Sequence, residues 1–406
     1  MKKFFLIIRM NVIASASVAI FFSTLLGCAD PSIFVSIPLT TNPPVLASPI
    51  SFVINAATTR GYLVNSNNSV IYSNGSVIIF DMTNPTDPTA LAAVSIPSFS
   101  GQVILDSTRG YLYIPNRLSD DREDNDDQIV RVNIDEASNS YLTVETFASG
   151  ANPFGAAFDG SDALFVAGTG AVFRYDVDDL TGYSKVTTSF TTNEGDAVSG
   201  SQTREVALRT GSDNLYVTNR ADQLMILSVS EFTAPSANAI TDLGAGPVQY
   251  VISGTSSTRG LAVDATNSDI YVVEGGNAPI LKVLNDASLS ANSGAPIEIN
   301  AGTLLIGSVP LGSDPSEIVL DITNNRAYVA NTGNDSISVI DTNLLVELAR
   351  ISVASDLPSG MAAGDEPFGL ALASLGGTTY LYVTNLVTHN VTIINTSTLA
   401  IVGNIP

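Results

Sequence analysis

The chain has 406 residues, 45% of them hydrophobic, with 17 Lys+Arg against 39 Asp+Glu, one histidine, one cysteine and no tryptophan. A formal net charge of −22 repels nucleic acid and anionic head groups, so neither is an expected partner. A single cysteine excludes an internal disulfide framework and a cysteine-based zinc cluster, and no c-type haem attachment word is present, so stability has to come from burial.

The N-terminus carries Lys2, Lys3 and Arg9, followed by an apolar run to Leu26. This is the pattern of a secretory signal peptide; a membrane-spanning helix is the competing reading, because the run approaches the length that spans a bilayer. Leu25-Leu26-Gly27-Cys28 resembles the bacterial lipobox, in which small residues precede a cysteine whose thiolate takes the lipid and which becomes the new N-terminus. The expected organisation is a lipoprotein signal peptide over 1–27, a lipid-anchored linker over 28–47 and a folded domain over 48–406. Cleavage after residue 27 removes three basic residues and no acidic one, taking the formal charge to −25. Lipid on Cys28 would hold the protein on a membrane. Ala29 stands where an inner-membrane retention signal has aspartate, which points to the outer membrane.

From residue 48 onward the chain repeats itself. Words built on one aromatic recur at Tyr62, Tyr113, Phe165, Tyr216, Tyr271, Tyr328 and Tyr382, at intervals of 51, 52, 51, 55, 57 and 54 residues. Each unit has a short apolar run, a turn rich in Asn, Gly, Ser and Thr, the tyrosine word, a second turn, an alternating run and a last apolar stretch. These are four short strands separated by turn formers. Four strands in about fifty residues, seven times over, predict an all-β, seven-bladed β-propeller of four-stranded antiparallel blades. Two segments compete for the outer place in the last blade: 399–405 and 33–39, "IFVSIPL". The second is expected to add beside the first and fasten the ring.

The stretches "DPSEIVLDITNNRAYVANTGNDSISVIDTNLLVELARISV" and "PFGLALASLGGTTYLYVTNLVTHNVTIINTSTLAIVGNI" resemble the YVTN-type propeller repeat. The resemblance implies a seven-bladed ring. The group it points to spans lactonase-like enzymes, envelope proteins and surface-layer proteins, so it does not specify chemistry.

Residues that recur in every blade are read as structural. Asp106, Asp159, Asp264 and Asp321 end the innermost strand, Asp81, Asp176 and Asp341 end the third, and Asn219, Asn331 and Asn385 close the tyrosine word; such side chains bond turn backbone. The exceptions are candidates for function. "SDDREDNDDQ" lengthens a loop of unit 2 with Asp120, Asp121, Glu123, Asp124, Asp126 and Asp127. It reads as a solvated acidic loop, with calcium the alternative, since calcium takes six to eight oxygens. At the start of the innermost strand, Arg204 and Arg259 occupy aligned places in units 4 and 5, and Glu205 and Glu317 the next place in units 4 and 6. These positions fall around one mouth of the channel, where 191–202, 245–257 and 354–365 also open. Two arginines there would either grip a carboxylate or phosphate or brace loops. Arg60 and Arg109 fall in a different turn. His389 is expected to be an exposed turn residue.

The functional expectation is a membrane-anchored propeller scaffold that binds an envelope or surface protein or a ligand, without catalysis of its own. The alternative is a lactonase-like or other metal-assisted hydrolase at the channel mouth. No cofactor other than calcium is expected.

Overall fold

The computed structural model describes residues 45–67, 74–117, 127–191, 197–198, 203–219, 222–355 and 357–406. Among the described residues, seven sheets of four or five strands follow one another along the chain, and a two-stranded ribbon, Phe190–Thr191 with Ala197–Val198, lies between the third and fourth. Blade 1 comprises Pro49–Asn55, Arg60–Asn65, Gly75–Asp81 and Thr89–Ile96; blade 4 comprises Thr203–Leu208, Asn214–Asn219, Gln223–Ser228 and Val248–Ser253; blade 7 comprises Pro367–Leu375, Thr378–Asn385, Asn390–Asn395 and Ala400–Ile405. The protein is a seven-bladed β-propeller with almost no helix.

The burial pattern explains the repeat. Second strands such as Asn214–Asn219 are buried on both faces beyond their first residue, which is why the tyrosine words read as unbroken apolar runs. Outer strands such as Val346–Ser352 are largely exposed. The core is not one globule. It is a series of hydrophobic layers, each shared by two neighbouring blades: Tyr216, Leu224 and Ile226 of blade 4 pack with Ile270 and Val272 of blade 5, and Tyr328 and Ile337 of blade 6 with Leu381 and Val383 of blade 7.

The other letters of the word have distinct tasks. The innermost strands of blades 4 to 7 carry a bulge near their start, as between Thr203 and Val206 or Pro367 and Leu370. In blades 4 and 7 the threonine of the word fills it: Thr218 Oγ1 accepts from Glu205 N at 3.1 Å, and Thr384 Oγ1 from Gly369 N at 2.8 Å. The asparagine ties the second strand to the third, Asn331 Nδ2 donating to Ser338 Oγ at 2.9 Å and Asn385 Nδ2 to Thr392 Oγ1 at 3.0 Å. The recurrent aspartates hold turns. Asp106 Oδ1 accepts from Thr108 N and Arg109 N, both at 3.0 Å, and Asp341 Oδ1 from Asn343 N at 2.9 Å and Leu344 N at 2.8 Å.

Two blades depart from the four-strand expectation. Ile240–Asp242 adds parallel to Asp179–Thr187 of blade 3, and Ile297–Asn300 adds parallel to Val248–Ser253 of blade 4. In each case the chain between the third and fourth strands of one blade doubles back to cover the outer edge of the previous one, satisfying ladder groups that would otherwise face solvent. The signal in the sequence was the lengthening of the repeat to 55 and 57 residues at these units.

Residues 33–39 lie outside the described residues, as do the leader and Cys28. Within the described residues, blade 7 meets blade 1 through side chains. Phe52 meets Tyr382 edge to face at 5.4 Å, Tyr382 Oη donates to Pro85 O at 2.9 Å, and Ser48 N donates to His389 Nδ1 at 3.0 Å. His389 is therefore not the exposed turn residue expected. It is partly buried, at a left-handed φ of 54°, because the incoming chain crosses it on the way into blade 1.

Candidate functional site at the channel mouth

The start of each innermost strand faces the central channel, and the second residue after the strand's first aligned position decides how neighbours meet. Three blades have glycine there, Gly155, Gly260 and Gly369. A Cβ on any of them would run into backbone carbonyl oxygens of the following blade, those of Arg204, Ser316 and Ile50 respectively. Four blades have a polar side chain instead: Ser51, Gln102, Glu205 and Glu317. Three of these accept from the backbone of the next blade. Ser51 Oγ accepts from Val103 N at 3.1 Å, Gln102 Oε1 from Ala156 N at 3.2 Å and Glu317 Oε2 from Leu370 N at 3.1 Å. They are straps around the ring.

Arg204, Glu205 and Glu317 come together in the channel. Gln102 Nε2 reaches past blade 3 to donate to Glu205 Oε2 at 2.7 Å, and Arg204 Nε lies 3.4 Å from Glu205 Oε1. The Arg204 guanidinium sits 4.9 Å from the Phe154 ring and 5.9 Å from the Phe368 ring, the geometry of a cation over an aromatic face. Phe154 and Phe368 belong to blades 3 and 7, which are not neighbours, so their edge-to-face contact at 6.3 Å spans the channel. Glu317 is pushed up to about 8, by burial first and the nearby Glu205 charge second, against the Leu370 N–H and Arg204. Water reaches part of its surface, but the protein packed around the rest disfavours the charge. At neutral pH the Glu317 carboxyl is mainly protonated.

Arg259 does not join this group. Its guanidinium pairs with Asp314 Oδ1 at 3.1 Å, and its side chain is 30% exposed. The aligned arginines diverge because Glu205 follows Arg204 and draws it inward, whereas Gly260 follows Arg259 and offers no partner. Sequence reasoning missed Gln102, Phe154 and Phe368. They lie at the same aligned places as the residues that were singled out, so the repeat held the signal.

Of the acidic loop, Asp120, Asp121, Glu123, Asp124 and Asp126 lie outside the described residues. Asp127 is 1% exposed, its carboxylate accepts from Asn152 N, and its carbonyl accepts from Ser149 N at 2.7 Å. It anchors the end of the loop to the connection into blade 3. Among the described residues no three His, Cys, Asp or Glu side chains are grouped so as to hold a metal ion.

No family model matches the chain, and no curated protein matches it. Among solved structures it is similar to hydrazine synthase of Kuenenia stuttgartiensis, with a TM-score of 0.55 and 15% identity over 87% of this chain and 96% of that one. At that identity the likeness concerns the fold.

Proposed function

We propose that the protein is a lipid-anchored binding propeller of the cell envelope, carried at the outer membrane by Cys28, whose YVTN-type blades form a scaffold for a protein partner. One observation supports this reading most directly. The outer strands of the neighbouring blades 5 and 6 and their adjoining turn expose large aliphatic side chains: Leu305 at 43%, Ile306 at 50%, Leu344 at 71%, Val346 at 45% and Leu348 at 47%. An apolar surface on a strongly acidic molecule is the kind that a macromolecular partner covers. The channel residues, by contrast, are engaged with one another and with neighbouring backbone, so their polar groups already have structural work.

A lactonase-like hydrolase is the second reading. It rests on Glu317, a carboxyl held near neutrality in its titration beside a second carboxylate. The bond from Leu370 N to Glu317 and that from Gln102 Nε2 to the neighbouring Glu205 weigh against it, since groups that hold the ring together are not poised to exchange partners.

The experiment is in-cell crosslinking of the full-length protein, with Leu344→Lys and Leu348→Lys introduced together. A crosslinked partner that is present in the wild type and lost in the double variant, with Tm unchanged, is the expected result. A partner retained by the double variant removes the rim from the account. Hydrolysis of a lactone that is lost in Glu317→Gln would favour the second reading.

A further inference from the structure

On the face opposite the channel mouth, the tyrosine hydroxyls of the repeated words differ in what they meet. Tyr216 Oη donates to Asp286 at 2.6 Å and Tyr382 Oη to the carbonyl of Pro85 at 2.9 Å, each in the connection between third and fourth strands of the next blade. Those of Tyr113 and Tyr328 are sealed from solvent. Tyr62 is different. The residue is only 4% exposed, its hydroxyl has no hydrogen-bond partner among the described residues, and it lines an open groove of about 550 Å³ between blades 1 and 2. That volume lies within the range of small-molecule sites, roughly 300–1,000 Å³. A phenol this buried has its polar end satisfied only from the groove. Burial pushes Tyr62 up to about 12, so the group stays a phenol and can both donate and accept.

The charged groups of the lining are committed to one another or to neighbouring backbone. Arg60 Nε donates to Glu136 Oε1 at 2.7 Å, and the same guanidinium lies 3.9 Å from Asp81 Oδ1. Arg109 turns toward blade 3, bonding Asp178 Oδ1 at 2.8 Å, Ser161 O at 2.6 Å and the buried Asp106 at 3.3 Å. Asp135 Oδ1 accepts from Ala137 N at 3.0 Å. Spare hydrogen-bonding capacity therefore rests with neutral groups. The hydroxyls of Thr58, Ser107 and Thr108 line the groove with that of Tyr62, and none is bonded to another described residue. Only Ile134 and Ala137 contribute aliphatic side chains to the lining.

We propose that the groove between blades 1 and 2 binds a neutral saccharide, its hydroxyls hydrogen-bonded by Tyr62 at the base and by Thr58, Ser107 and Thr108 from the turns on either side. The chemistry of the lining selects this class. Hydroxyls on the protein both donate and accept, as do those of a sugar, so each can match the other in either sense. An anion finds both guanidiniums already paired and meets a chain of net charge −22, which repels it at long range. A cation finds one carboxylate outside an arginine pair, Asp135, and that group is holding its own turn. An apolar ligand would strip water from the Tyr62 hydroxyl and return no partner. The volume exceeds that of one pyranose ring and the groove is open, which leaves room for two or three sugar units. The groove lies away from the rim of blades 5 and 6, and the proposal is independent of partner docking there.

Saturation-transfer NMR of the full-length protein, which reads weak binding, tests it with three neutral trisaccharides (maltotriose, cellotriose and triacetylchitotriose), with anionic trigalacturonate and with cationic spermidine. The expected result is that at least one neutral trisaccharide binds, at least tenfold more tightly than trigalacturonate or spermidine, and with an affinity that salt does not change, since no free charge takes part. Tyr62→Phe, which removes one oxygen and keeps the packed ring, should weaken that sugar at least threefold. Ser107→Trp, at an exposed turn position, should fill the groove and abolish binding. Lys185→Gln, which breaks a surface pair with Asp242 on blade 3, should leave it unchanged. Failure of all three neutral sugars to bind, equal or tighter binding of either charged probe, or undiminished affinity in both groove variants would each overturn the proposal. Should Tyr62→Phe fail to fold, Ser107→Trp and the probe series on the wild type decide.

Discussion

At the scale of single residues, the channel acid shows how one aligned position can serve opposite ends. Where glycine stands, the next blade's backbone moves in; where Glu317 stands, a side chain reaches out to Leu370 N. The cost is a carboxyl that resists ionisation. The folded protein holds the Glu317 proton up to about pH 8, whereas the ordinary value is 4.5. This group's contribution to stability is therefore fully present below about pH 4.5 and is lost as pH rises through 8. Glu317→Gln keeps an oxygen to accept from Leu370 N and removes the titration. Its Tm should stay level between pH 5 and 9 relative to the wild type, which falls; parallel curves for the two proteins would contradict the assignment.

At the level of elements, where the innermost strand carries glycine its contact with the next blade is set by backbone, not by side-chain packing. Gly369 has an ordinary φ, so it is not kept for conformational freedom; it is kept because its neighbour in blade 1, the carbonyl of Ile50, occupies the space of a Cβ. No rotamer change can relieve a clash between two main chains. Gly369→Ala should thus cost about 3 kcal/mol or more, at or beyond the upper end for overpacking, measured by urea unfolding. Gly376→Ala, which meets nothing within 4 Å but has φ of 59°, should cost about 1 kcal/mol, from backbone strain alone. Comparable losses at the two sites would mean that the strands tolerate separation. The added edge strands Ile240–Asp242 and Ile297–Asn300 belong to this scale too. They were not legible as strands because segments of three and four residues pair by proximity, and proximity is created by the blade behind them.

At the scale of the whole molecule, a ring is only as firm as its last joint. Here blade 7 meets blade 1 through Phe52, Tyr382, Pro85 and the bond from Ser48 N to His389 Nδ1. Burial lowers the His389 pKa below 6.5, partly offset by a hydrogen bond with the Leu386 backbone. The neutral imidazole accepts from Ser48, and a proton on Nδ1 abolishes that bond. The contribution of His389 is present above pH 6.5 and is lost as pH falls through its folded value, the opposite sign to Glu317. His389→Asn, which suits the left-handed backbone, should remove the acid-side decline in Tm between pH 6.5 and 5. A decline that persists unchanged would place the weak joint elsewhere.

The all-β propeller, the number of blades, the structural rank of the recurrent Asp and Asn, and the aligned place at which the channel groups lie were all legible in the repeat. These properties are periodic, and periodic properties are written locally: each unit folds against its neighbours by the same rules, so the word at Tyr216 and the word at Tyr382 carry the same instruction. Which aligned residues meet depends on the assembled ring. Arg204 and Arg259 share a position yet part company over Glu205 and Asp314; Phe154 and Phe368 are 214 positions apart in the chain and touch across the channel; His389 waits for Ser48 at the closing joint. Ring closure brings the ends of the chain together, and no local pattern can encode a contact that exists only once the circle is complete.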